Sequence, residues 1–201
     1  RRLRRVAWSG VLEVTATVNK ENGAKMRVLV ACEYSGRVRR AFAAMGHDVL
    51  SADFEPAEDN SPFHYQGDCF DLIRDQHFDL MIAHPPCTYL SASGLHWNNR
   101  GRGHEKTEAA LRFVRFLMNA PVARICIENP QGCISTRIRP ADQYIQPYQF
   151  GADASKRTGL WLKNLPPLRP TQFVEPRVVN GKPRWANQTD SGQNRLPPSP
   201  D

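Results

Sequence analysis

No apolar run in this chain approaches the roughly 20 residues that a membrane-spanning helix requires, which excludes an integral helical membrane protein. CxxC spacing is missing as well: Cys32, Cys69, Cys87, Cys126 and Cys133 form an odd, scattered set. That argues against a disulfide scaffold and a zinc cluster, and fits a reducing cytoplasm. Neither GxGxxG nor GxxxxGK occurs, so phosphate cradles of the NAD and ATP types lack support. The chain starts with Arg1-Arg2-Leu3-Arg4-Arg5 rather than methionine, and Glu13 and several threonines interrupt the stretch beyond it, against a secretory signal. No internal repeat is found.

What is present is an ordinary globular composition, 40% hydrophobic and 23% charged over 201 residues, enough for one domain with a proper core. The net charge of +7 invites a nucleic-acid reading, but residues 1–25 hold six basic against two acidic side chains. They read as a leader or disordered arm that adds charge without chemistry. The core spans 26–163. Residues 164–201 hold eight of the 16 prolines and read as an extended C-terminal cover or tail.

Within the core, Met26–Cys32 is a short apolar run expected as a strand buried on both faces. Glu33 to Gly36 turns the chain, and Val38, Ala41, Phe42 and Met45 then mark one face of a helix that Gly46 stops. Arg37, Arg39 and Arg40 fall on its exposed face. Further strands are expected at His47–Ala52, ending at Asp53, just before Gly67-Asp68, at Phe78–Ala83, at Val122–Ile127 and at Gly159–Lys163. A second helix covers Glu105–Asn119, and Thr88–His104 is a loop long enough to suggest a lid. Strands alternating with helices predict a Rossmann-like α/β fold, a mainly parallel sheet with helices on both faces.

In such sheets ligands sit beyond the carboxyl ends of the strands, and nearly every unusual residue falls there. The turn Tyr34-Ser35-Gly36 lets the backbone approach a ligand closely. Asp53 could accept from ribose hydroxyls, and Asp68 could bind an exocyclic amine. Phe54, Cys69 and Pro86 complete this candidate pocket. A ligand with ribose and adenine but no phosphate fits best, and S-adenosylmethionine is the commonest. Taken singly, each acid is more often a turn former.

Pro85-Pro86-Cys87 is the sharpest local signal. Two prolines end a strand and stiffen the turn, presenting Cys87 where a nucleophile belongs. A small half-buried thiol is the plainer reading, and it is preferred for Cys32 and Cys126. Glu128-Asn129-Pro130 follows the fifth strand, the natural neighbour of the fourth. That brings Glu128 towards Cys87, where a carboxyl group kept protonated by burial could donate to a heterocycle's ring nitrogen.

Pro86-Cys87, Glu128-Asn129, Phe150-Gly151 and Lys156-Arg157 occur in the order of the cytosine-5 DNA methyltransferases, and the chain resembles the small phage and prophage members of that family. The resemblance implies that 26–163 is a methyltransferase catalytic domain binding S-adenosylmethionine through Tyr34 to Gly36, Asp53 and Asp68. It puts Cys87 in the nucleophile's place, Glu128 in that of the base-binding acid with Asn129 ordering its turn, and Arg157 on the first arginine after the Phe-Gly turn. DNA carrying a flipped or unpaired cytosine is the implied partner. Trp97 would offer a stacking face, and Arg100, Arg102, His104, Lys106 and Lys156 phosphate contacts. No obligate protein partner is evident.

Departures are visible. Pro130 replaces the usual valine, Ser155 and Gly159 stand where a glutamine and a second arginine are expected, and the first motif lacks its glycines. Fewer than 40 residues follow the last strand, and the family's closing helix is not found before Asp201. Either a truncated chain or a reduced enzyme of low sequence selectivity is expected. Two alternatives stay open: an amino-methyltransferase acting on cytosine or adenine, in whose motif His84 would replace an acid or amide and Cys87 an aromatic, and a degenerate nucleic-acid binder.

Overall fold

The computed structural model describes residues 24–92 and 104–194. Residues 1–23 of the expected leader, residues 93–103 of the expected lid with Trp97, Arg100 and Arg102, and the last seven residues lie outside the described residues. Nine strands and four α-helices are described: β1 (Arg27–Ala31), α1 (Arg37–Ala44), β2 (Asp48–Asp53), β3 (His64–Gln66), α2 (Cys69–Asp75), β4 (Leu80–Ala83), α3 (His104–Met118), β5 (Arg124–Pro130), α4 (Ile134–Arg137), β6 (Gln143–Ile145), β7 (Thr158–Lys163), β8 (Arg177–Val179) and β9 (Lys182–Arg184).

The first seven strands form one sheet in the order β3-β2-β1-β4-β5-β7-β6. β1 to β5 are mutually parallel, and β7 runs antiparallel between β5 and β6. This is the Rossmann-like α/β fold that the strand–helix alternation predicts. β1 and β4 are buried almost throughout, because each lies between two strands and under helices on both faces. Side chains alternate between two cores. Leu29, Met81, Ile125 and Ile127 pack under Leu72 of α2 and Leu111, Val114 and Leu117 of α3. Val28, Val30, Ile82 and Cys126 pack under Val38 and Phe42 of α1.

Several expectations need correction. Arg39 is not on an exposed helix face: it is 5% exposed. Its guanidinium donates to Asp59 at 2.6 and 2.7 Å, to Ser51 Oγ and to Ser61 Oγ, tying α1 to the segment after β2. Helical periodicity does not reveal this, because the partners lie 12 to 22 residues away. The expected fifth strand ends too early. β5 runs on through Glu128, Asn129 and Pro130, because antiparallel β7 pairs with it as far as Thr158 opposite Pro130. The segment after 163 is more than an extended strip. Leu168 packs into the core of the α1 face, its backbone held at both ends by the Gln143 side chain. Beyond it β8 and β9 form a hairpin turning at Asn180 and Gly181, both with positive φ. Among the described residues no helix is long and apolar enough to cross a membrane.

Candidate active site

At the carboxyl edge of the parallel strands the chain leaves a cavity of 1060 Å³. Its wall includes Tyr34, Asp53, Phe54, Asp68, Cys69 and Pro86, six of the eight residues expected around the cofactor. Ser35 and Gly36 are not part of that wall. The Ser35 hydroxyl donates to Glu33 and accepts from Arg37 N–H, and Gly36 precedes α1 in the left-handed region at φ +67°. A side chain at Gly36 would meet the Arg39 guanidinium and the Asp59 carboxylate, so this glycine serves the arginine–aspartate lock. The α1 N-terminus is satisfied from within: the buried Glu33 carboxylate accepts from Val38 and Arg39 N–H.

Asp53 and Asp68 are turn formers and wall residues at once. Asp53 Oδ1 accepts from Glu55 N–H, and Asp68 Oδ1 caps α2 through Phe70 N–H. Each carboxylate retains acceptor capacity. Glu55 and Glu58 add two more carboxylates to the wall, against His84 and Lys106. Cys32, expected inside β1, lies just past it at φ +60° on the cavity wall. Lys106, expected on DNA, also lines the cavity, its ammonium over the Tyr89 ring at 5.6 Å.

The second half of the site follows from register. Ala83 of β4 pairs with Ile127 of β5, so the next residues, His84 and Glu128, end side by side. His84 Nδ1 lies 3.2 Å from Glu128 Oε2, and both side chains are about nine-tenths buried. Asn129 Nδ2 donates to the Pro85 carbonyl at 2.7 Å and is itself buried, so the double-proline turn is fastened to β5 at two points. Cys87 opens a short 3-10 turn, Cys87–Tyr89, directly after that fastening, and is half-buried. Its carbonyl accepts from Leu90 and Ser91 N–H.

Of the two basic residues of the Lys-Arg pair, one reaches Glu128 and the other a tyrosine ring. Lys156 Nζ stands 3.8 Å from Glu128 Oε1, while the Arg157 guanidinium lies over the Tyr144 ring at 4.3 Å. Sequence-distant bonds set this placement: the backbone N–H of Lys156 donates to Gln146 Oε1, and the Asn187 amide clamps Ser155 by both its N–H and its C=O. Asn187 belongs to the proline-rich segment, which therefore helps to aim Lys156.

Two contributors escape motif reading. His84 appears in the sequence only as a departure from another motif. Gly132 allows a close approach: a Cβ there would overlap the Leu90 carbonyl. None of the five cysteines is in a disulfide. Burial pushes the Cys126 thiol up to about 12, and the nearby Glu128 charge adds to it, in keeping with a core thiol. No group of three or more metal-ligating side chains occurs among the described residues.

No protein-family model matches this sequence, and no curated protein matches it. Solved structures do resemble it. Magnesium protoporphyrin IX methyltransferase (ChlM) from Synechocystis PCC 6803, crystallised with bound SAM, superposes with a TM-score of 0.50 at 13% identity, covering 80% of this chain and 82% of that one. The 1,6-didemethyltoxoflavin-N1-methyltransferase of Burkholderia thailandensis gives 0.44 at 13%, covering 80% and 81%. Monomeric WbdD gives 0.47 at 13%, covering 90% of this chain but 44% of that one. This chain spans less than half the length of the WbdD chains. At such identity the likeness shows the fold alone: this chain shares its Rossmann-like α/β fold with the ChlM structure.

Proposed function

We propose that the chain is an S-adenosylmethionine-dependent DNA methyltransferase that modifies carbon 5 of cytosine through a covalent adduct with Cys87. The observation that carries this reading is the two-point fastening of the His84–Cys87 turn to Glu128 and Asn129, beside a cavity large enough for an adenosyl ligand. It supports a nucleophile and a base-binding carboxyl group acting together.

The wall fits the cofactor. Asp53, Glu55, Glu58 and Asp68 outnumber the cationic groups of the lining, which favours a cationic ligand over a polyphosphate. Tyr34, Asp53, Phe54, Asp68, Cys69 and Pro86 would hold it. When bound, S-adenosylmethionine supplies an electrophilic methyl group to an activated C5.

The remaining work falls to this chain. Attack of the Cys87 thiolate on C6 moves electron density onto C5. Glu128 offsets the charge that develops at N3, and Lys156 anchors the other carboxylate oxygen. Loss of the C5 proton to water and expulsion of Cys87 as the thiolate then restore the ring. Asn129 holds the Pro85 carbonyl and with it the angle at which Cys87 is offered. A base inside a duplex cannot reach Cys87, so the cytosine must be flipped out or unpaired. Lys156 at Glu128 and Lys106 on the cavity wall are cations available to the DNA phosphates, with Arg157 stacked on Tyr144.

Trapping with DNA containing 5-fluorocytosine plus cofactor tests the reading. The expected result is a covalent protein–DNA adduct that disappears in Cys87→Ser. No adduct with the unaltered protein on any DNA overturns it, and N-methylated product made by Cys87→Ala replaces it with the amino-methyltransferase.

A further inference from the structure

His84 takes no part in the steps above, yet it both lines the cavity and meets Glu128. Its backbone N–H donates to Ala31 at 3.0 Å, extending the sheet one residue past β4 and fixing the point from which the ring projects. The ring lines the cavity and meets Glu128 Oε2 at 3.2 Å, while Lys156 approaches Oε1 at 3.8 Å from the other side. This arrangement raises a chemical question. An ionised carboxylate offers acceptors only, so the proton that N3 must receive when C6 is attacked cannot come from Glu128 in that form. The proton must then be stored beside Glu128. An imidazole is the side chain suited to hold and release one near neutral pH.

We propose that His84 is a positioning residue with a proton function, the reservoir from which Glu128 is charged. The inference rests on the cytosine-5 reading. As the Cys87 Sγ–C6 bond forms, the C5=C6 pair moves to C4=C5 and the C4=N3 pair moves onto N3. His84 Nδ1 gives its proton to the ionised Glu128, which passes it to N3, so the carboxylate ends ionised again and the imidazole neutral. When Cys87 is expelled the pairs move back, and the N3 proton returns through Glu128 to His84. The relay ends each cycle as it began. His84 touches no substrate atom in this scheme; it acts through Glu128.

The adduct step can be read without the methyl donor. With Cys87 bound at C6, C5 takes up a solvent proton, and reversal releases its original hydrogen, so DNA tritiated at C5 loses label to water. Release is measured for the unaltered protein, His84→Asn, His84→Ala, and His84→Ala with added imidazole. Asparagine can keep a hydrogen bond to Glu128 but cannot exchange a proton on this timescale. Both variants are expected to release label about 100-fold more slowly. Imidazole, entering the cavity that His84 lines, is expected to restore His84→Ala at least about tenfold. Release by His84→Asn at the unaltered rate, or no recovery with imidazole, overturns the relay and leaves the cytosine-5 reading standing. No release by the unaltered protein on any DNA overturns that reading and the relay together.

Discussion

Gly132→Ala should be far more damaging than its chemistry suggests. Gly132 lies just past β5 and forms an antiparallel bridge with Ser91, close behind Cys87. An added Cβ would overlap the Leu90 carbonyl oxygen and lie 2.7 Å from Ser91 Cα. Backbone cannot rotate aside, so the two segments must separate. Separation loses the bonds from Cys133 N–H to Leu90 O at 2.8 Å and from Ala92 N–H to Gln131 O at 3.1 Å, about 1 kcal/mol each. Residual overpacking adds about 1–3 kcal/mol. A loss of about 3–5 kcal/mol is a large share of a typical total, and should lower the melting temperature by about 10 °C. Gly46→Ala is the control. Gly46 has φ +89° with nothing within 4 Å of an added Cβ, so only the left-handed backbone penalty of about 1–2 kcal/mol applies. Because Cys87 O accepts from Leu90 and Ser91, the displacement also reaches the nucleophile, and a shift near 1 Å costs about 100-fold in adduct formation. Thermal unfolding monitored by circular dichroism, paired with the 5-fluorocytosine assay, reads both effects. If Gly132→Ala melts within about 2 °C of Gly46→Ala, the close-approach argument is wrong.

Charge and burial set two further outcomes. Burial works to raise the Asp59 pKa, but hydrogen bonds from Arg40 and Arg39, with their charge, outweigh it and hold the carboxyl below its ordinary value. A depressed carboxyl stabilises the fold above the ordinary carboxylate range and loses that contribution as pH falls through the lowered value. Asp59→Asn should therefore be less stable than the parent at pH 7, with the gap closing on acidification; urea midpoints at a series of pH values check it, and a gap independent of pH refutes it. The second outcome concerns the thiols. Cys126, fully buried with its thiol near 12, should resist alkylation at pH 8 in the native protein, while half-buried Cys87 is modified; peptide mass spectrometry after brief iodoacetamide treatment decides, and labelling of Cys126 before Cys87 contradicts the placement.

Local pattern was enough for the framework. Continuous apolar runs at β1 and β4 mark strands buried on both faces, because two-sided burial leaves no polar alternation. Alternation with helices then brings Tyr34, Asp53, Asp68, Cys87 and Glu128 to one edge, since a parallel sheet gathers its strand ends. The sequence by itself thus determined the fold class and which residues could meet. Tertiary structure decided which of them do. Lys156 rather than Arg157 faces Glu128, because Gln146 and Asn187, 10 and 32 residues away from the bonds they make, fix that backbone. Arg39 is buried because Asp59 lies 20 residues on, and His84 meets Glu128 across 44 residues because of strand register. Periodicity records the face a residue presents within its own element; a contact between elements depends on register and loop closure, which sequence-distant hydrogen bonds set and no local spacing encodes.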